Sequence, residues 1–179
     1  MTADELVSFV SEATVRDSAR RLFDDVVRKI TQTLPQAEVH HVGSTAIPGA
    51  LTKGDLDVQV RVTAADYEAS RDRLAMLYAI NKGGFVAADA CSFEDYDTNP
   101  PHGVHLTVIG GSCDIQWRFR DALRASDELK QRYEALKRRF HGGSMSSYRE
   151  AKEQFVVSVQ DSVIYRNLEG PDQHADVGH

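Results

Sequence analysis

Cysteine is scarce in this 179-residue chain: Cys91 and Cys113 are the only two, and they stand in no C-x-x-C spacing. Two thiols are too few for a disulfide framework or for a zinc site closed by cysteine alone, so reduced thiols are expected. Long apolar runs are lacking as well, and nothing approaches the ~20 residues that a transmembrane helix needs. The first ten residues carry Asp4 and Glu5 where a secretory leader would carry basic residues. The expectation is a cytoplasmic protein with no membrane partner. Positive charge is in deficit too, with 21 Lys and Arg against 27 Asp and Glu, a net charge of −6. Binding of long duplex nucleic acid over a broad surface depends on Lys and Arg neutralising phosphates, and is not expected here.

What is present describes an ordinary globular chain. Hydrophobic residues make up 41% and charged residues 27%, the proportions of a chain that buries a core. The length suits one domain, 1–167, with a helical part from about residue 115 and a polar tail at 168–179. Charge is unevenly spread: Glu94, Asp95 and Asp97 precede a basic stretch from Arg118 to Arg139.

Apolar spacing of three and four residues from Glu5 to Leu34 predicts two helices broken near Thr14. Glu38–Val42 alternates and runs into Gly43-Ser44-Thr45, a strand ending in a small-residue turn. Leu56, Val58, Val60 and Val62 alternate strictly with Asp57 and Gln59, the clearest strand signal in the chain. A helix over Asp66–Ile80, a short strand at 85–88, a loop from Cys91 to His102 and a strand over Val104–Ile109 follow. The remainder reads as helical, with a break at Gly142-Gly143 and a last helix at Ser146–Asn167. This order predicts an α+β protein, a mixed sheet with helices packed on it.

The chemistry concentrates in His41-Val-Gly-Ser-Thr-Ala-Ile-Pro-Gly-Ala-Leu-Thr-Lys-Gly-Asp-Leu-Asp. Asp55 and Asp57, two apart on a strand, point to one face and can grip one metal ion. Oxygen ligands on a rigid element suit Mg²⁺ or Mn²⁺, which complete their shells with water and substrate phosphates. Gly43, Ser44 and Thr45 offer N–H groups and hydroxyls to an anion, and Lys53 either neutralises a phosphate or is a surface lysine. Arg120 and Arg124 share a helix face and suit phosphate recognition, against the plainer reading of local ion pairs. His40, His41, His102 and His105 with Cys113 have no zinc-motif spacing; His41 and His105 are expected to line the cleft. Trp117, Phe119 and Tyr133 read as core.

The block from His41 to Gly49 with Lys53 and the acidic strand, together with Phe119-Arg-Asp-Ala-Leu-Arg-Ala and Tyr133-Glu-Ala-Leu-Lys137, resembles the GrpB-like family of the nucleotidyltransferase superfamily, whose fold is that of the DNA polymerase β palm. The resemblance implies that Gly43 and Ser44 hold nucleotide phosphates and that Asp55 and Asp57 are catalytic metal ligands. It also implies transfer of a nucleoside monophosphate from a nucleoside triphosphate to a hydroxyl acceptor that the sequence does not identify. A third carboxylate usually completes that site from a neighbouring strand. Val104–Ile109 instead carries His105 and Thr107, Asp114 lies beyond the glycines that end it, and Glu94, Asp95 and Asp97 fall in the expected loop. Two other readings stay open: a phosphate-binding module without turnover, and an interaction protein using the basic helical end.

Overall fold

The strand expected at Leu56–Val62 is the axis of the sheet. In the computed structural model, which describes residues 5–84 and 86–171, the chain runs β1 (Val10–Ser11), α1 (Glu12–Thr33), β2 (Glu38–Val42), a 3-10 turn (Ser44–Ala46), β3 (Leu51–Thr52) and β4 (Leu56–Val62). It continues through α2 (Tyr67–Ala75), β5 (Ala79–Ile80), β6 (Val86–Ala87), β7 (Ala90–Asp95), β8 (His102–Val108), α3 (Gln116–Ala125), α4 (Asp127–Phe140), α5 (Met145–Gln160) and α6 (Val163–Arg166). The main sheet has the order β2-β4-β8-β7-β5, with β6 also paired to β7, and β1 pairs β3 separately. Strand β4 is antiparallel to β2 and parallel to β8, so the sheet is mixed, as expected.

Alternation sorts the two faces. Leu56, Val58, Val60 and Val62 pack with Val104 and Leu106 of β8 and Phe93 of β7 against Phe23, Val26 and Ile30 of α1 and Leu74 of α2. The other face of β4 carries Asp57, Gln59 and Arg61. Gln59 is fully buried there, donating to Thr107 Oγ1 (3.0 Å) and Asp114 Oδ1 (2.9 Å) and accepting from the Trp117 amide (2.9 Å). The start of α3 is thereby docked on the polar face, and α3 to α6 build a second cluster around Leu123, Tyr133, Phe155 and Val159.

Four expectations are corrected. The amino-terminal pattern gives one helix among the described residues, not two: α1 begins only at Glu12, because Val10 and Ser11 pair with Thr52 and Leu51, and Leu6 bridges Ser144. Helix α2 stops at Ala75, and Ala79 and Ile80 pair with Glu94 and Phe93, so strand bonds replace the last helical turn. The expected loop from Cys91 begins as β7, where Cys91 and Phe93 point into the core while Ser92 and Glu94 take the other face. Ser126 and Ser162 divide the carboxy-terminal helices, each accepting a hydrogen bond from an amide three residues on, Leu129 and Tyr165. The short strand is found at Val86–Ala87; Phe85, and the tail from residue 172, lie outside the described residues.

Candidate active site

Strand β2 ends at Val42, and the chain turns at Gly43 so tightly over β4 that backbone and carboxylate touch. Gly43 has φ +73°, and a Cβ there would lie 2.2 Å from Asp57 Oδ2. Glycine is required on both counts. The turn is tied to the start of β4 by Thr45, whose hydroxyl donates to the Asp55 carbonyl (3.3 Å) and meets His41 Nε2 (3.0 Å). Thr45 is buried and engaged within the protein, and so fixes the turn against the acidic pair. Asp55, just before β4, pairs with Lys53 Nζ at 2.9 Å. Burial works against the Lys53 charge, but Asp55 and, farther off, Asp57 outweigh it and hold its pKa above the ordinary lysine value.

Asp57 is a third exposed and otherwise surrounded by protein. Burial pushes its carboxyl up, yet the hydrogen bond from His105 and the charges of His105, Lys152 and Lys53 prevail and hold it below the usual range. His105 Nε2 stands 3.3 Å from Asp57 Oδ1, and its Nδ1 3.1 Å from Ser92 Oγ. His105 thus stands beside Asp57, with a partner on each ring nitrogen.

Behind Ser44 stands a residue given no role by sequence reasoning. Lys137 of α4 is fully buried, with Nζ 3.0 Å from Ser44 Oγ, bonded to the Leu51 carbonyl, 3.5 Å from Glu134 Oε1 and 3.9 Å above the Tyr133 ring. Burial lowers its pKa to about 8, against the pull of Glu134. An ammonium has donors and no acceptor, so Ser44 Oγ accepts from Lys137 and keeps its own proton to give. Lys152 of α5 acts electrostatically on Asp57, Lys53 and Lys137. Its helix also brings Tyr148, buried beside Tyr133; burial pushes the Tyr133 phenol up to about 12 and raises that of Tyr148 as well. The signal was available: Tyr-x-x-x-Lys occurs at 133–137 and again at 148–152, a spacing that puts both residues on one helix face.

Arg120 and Arg124 reach the same turn from behind. Arg120 is fully buried, its Nε and Nη2 on Asp121 (2.7 and 3.1 Å) and its Nη1 donating to the His41 carbonyl (2.7 Å). Arg124 donates through Nε to the Ala46 carbonyl (2.9 Å). Both brace the ends of the Gly43–Ala46 segment. The histidines do not gather, since His40 is beside Glu38 and His102 beside Thr98. Among the described residues no three His, Cys, Asp or Glu side chains converge as a metal-holding group.

A divalent ion with two protein carboxylates fits what is present. Asp55 immediately precedes β4 and Asp57 is its second residue, and glycine at 43 leaves room for the Asp57 carboxylate, which a Cβ would meet at 2.2 Å. Two carboxylates suffice for Mg²⁺ or Mn²⁺ when water and phosphate supply the rest. Glu94 lies in the same row: it pairs with Gly103, which pairs with Asp57, two strands away. Its carboxylate takes a hydrogen bond from Tyr96.

Residues 13–162 match the sequence profile of the family described as GrpB protein. A UPF0157 protein of Vibrio cholerae is 30% identical over 142 residues, 79% of this chain and 76% of its own length. The crystal structure of conserved protein GrpB from Enterococcus faecalis superposes with a TM-score of 0.68 at 18% identity, over 88% of this chain and 98% of that one. The RNA terminal uridylyl transferase Cid1 overlaps more weakly, with a TM-score of 0.47 and 13% identity over 67% of this chain and 38% of its own. The profile match spans most of the 179 residues, and the chain belongs to the GrpB protein family.

Proposed function

We propose that this protein is a metal-dependent nucleotidyltransferase that moves a nucleoside monophosphate from a nucleoside triphosphate to an unidentified hydroxyl. The observation that carries the reading is the contact of Gly43 with Asp57, which sets a Ser44 hydroxyl polarised by Lys137 beside an acidic pair. Asp55 and Asp57 would hold Mg²⁺ or Mn²⁺, which when bound supplies charge neutralisation at the reacting phosphate. Ser44 donates to a phosphate oxygen because Lys137 occupies its lone pair. Lys53 turns from Asp55 to a phosphate, and Lys152 adds positive charge from α5. Arg120, Arg124 and Thr45 hold the turn against β4 and need not touch the nucleotide. In the transfer, an oxygen–phosphorus bond forms between the acceptor and the α-phosphate, the bond to the bridging oxygen breaks, pyrophosphate leaves, and the hydroxyl proton passes to a carboxylate or to water.

Transfer of an α-phosphate label from ATP, CTP, GTP or UTP into a pooled small-molecule extract tests this. Label should move with wild type and not with Asp57→Asn; equal transfer by both sinks the reading. The lack of an acidic residue on β8, beside Asp57, favours one other reading, a nucleotide-binding module without turnover. That module would be stabilised by nucleotide and metal and would transfer nothing.

A further inference from the structure

The strand order β2-β4-β8-β7 gives Asp57 two unlike sides. Ser44, which follows β2, lies on one side with Lys137 behind it, so the groups that suit phosphate gather away from β8. On the other side the register sets Gly103 beside Asp57 and Glu94 beyond it. Leu56 faces His102 and His102 faces Asp95, so the next row runs from Asp55 through Pro101 to Tyr96. The Leu56 amide donates to the Pro101 carbonyl (3.0 Å), which carries the β4–β8 pairing into that row. Glycine and proline raise no long side chain between the acidic pair and the end of β7, and His105, held by Asp57 and Ser92, closes this floor at one end.

Tyr96 stands at the far edge of the floor. It follows β7 directly, and alternation puts it on the same side as Glu94, whose carboxylate accepts a hydrogen bond from the phenol. The phenol also lies in the field of Lys53 and Asp55. The ring itself is largely uncovered, the residue being 68% exposed. A lone exposed tyrosine is ordinary. This one is tethered at its hydroxyl and stands two strand spacings of ~4.8 Å, about 10 Å in all, from the acidic pair. A nucleoside spans such a gap.

We propose that Tyr96 is the platform on which the nucleobase of the bound nucleoside triphosphate stacks. This rests on the nucleotide site proposed above and adds the residue that holds the nucleoside. With the pyrophosphate drawn towards Ser44 and the lysines, the nucleoside on the α-phosphate extends the other way, over Gly103 and Pro101, and its base meets the Tyr96 ring. The hydrogen bond to Glu94 fixes the ring at its polar end and leaves its face free. Every base has an aromatic face, so such a platform accepts all four.

The test uses the full chain in excess Mg²⁺ and calorimetric titration of two ligands: whichever of ATP, CTP, GTP and UTP binds tightest, and inorganic tripolyphosphate, which has the phosphates and no base. Tyr96→Ala should weaken the nucleotide about tenfold and leave tripolyphosphate unchanged, which also shows that the variant folds. Tyr96→Phe keeps the ring and should bind nucleotide as wild type does. Unchanged nucleotide affinity in Tyr96→Ala overturns the proposal, the result expected if the ring serves the acceptor instead. An equal loss for both ligands, or a loss in Tyr96→Phe as large as in Tyr96→Ala, overturns it too. In each of these cases the phosphate and metal site stands if Asp57→Asn abolishes tripolyphosphate binding. Failure of wild type to bind any of the four nucleotides overturns both.

Discussion

Gly43 and Lys137 show how single residues set the site. At Gly43 a positive φ and the closeness of Asp57 act together: alanine would strain the backbone and meet not only the movable Oδ2 but also Asp57 Cβ, at 2.9 Å. Gly43→Ala should cost about 1–3 kcal/mol of stability in urea unfolding and abolish metal-dependent nucleotide binding. Normal binding by the variant would show that turn and carboxylate need not touch. Lys137 predicts a pH effect. Below pH about 8 the ammonium is protonated folded and unfolded, and folding bears the whole cost of burying it. From about 8 to the ordinary 10.5 the unfolded chain holds a proton that the folded one has shed, so stability rises with pH through that window. The difference in unfolding free energy between wild type and Lys137→Met should therefore shift in favour of wild type from pH 8 to 10.5. A difference independent of pH contradicts the lowered pKa.

At the scale of elements, the polar face of β4 is tied to the segment before α3 through a buried ion pair, beside the bond from the Trp117 amide to Gln59. Arg61 meets Asp114 through Nε (2.7 Å) and Nη2 (2.8 Å), and Asp114 also receives the Gly110 amide (2.9 Å). Asp114→Ala leaves the guanidinium buried without this partner and should destabilise the fold by about 3–5 kcal/mol, read by chemical denaturation; a loss below 1 kcal/mol would mean that Glu38, the other partner of Arg61, compensates. Strand β4 was legible because its alternation is strict. Strand β7 was not: Ala90-Cys-Ser-Phe-Glu-Asp alternates, but its small and acidic residues carry little strand preference, and pairing on both sides by β8 and by β5 and β6 supplies what preference lacks. The break at Ser126 was equally hidden, because helical spacing continues across the cap.

For the whole molecule, the sheet and its helices place the acidic pair on the polar face, with α4 and α5 supplying lysines from the other end of the sequence. The acidic pair and the Gly-Ser turn could be read from the chain because they lie within fifteen residues of one another. Lys137 and Lys152 could not be tied to them, since Lys137 meets Ser44 across 93 positions, and only the packing of helices on the turn makes that contact. No helix among the described residues is long and apolar enough to cross a membrane.

The most direct test of the site is thermal unfolding with ATP, CTP, GTP or UTP, each with Mg²⁺ or Mn²⁺, for wild type and Asp57→Asn. Wild type should melt higher with at least one nucleotide only when metal is present, by about 2.7 kcal/mol at a hundredfold excess over Kd, and the variant should not respond. An equal shift in Asp57→Asn, or no shift with any nucleotide, would contradict the account.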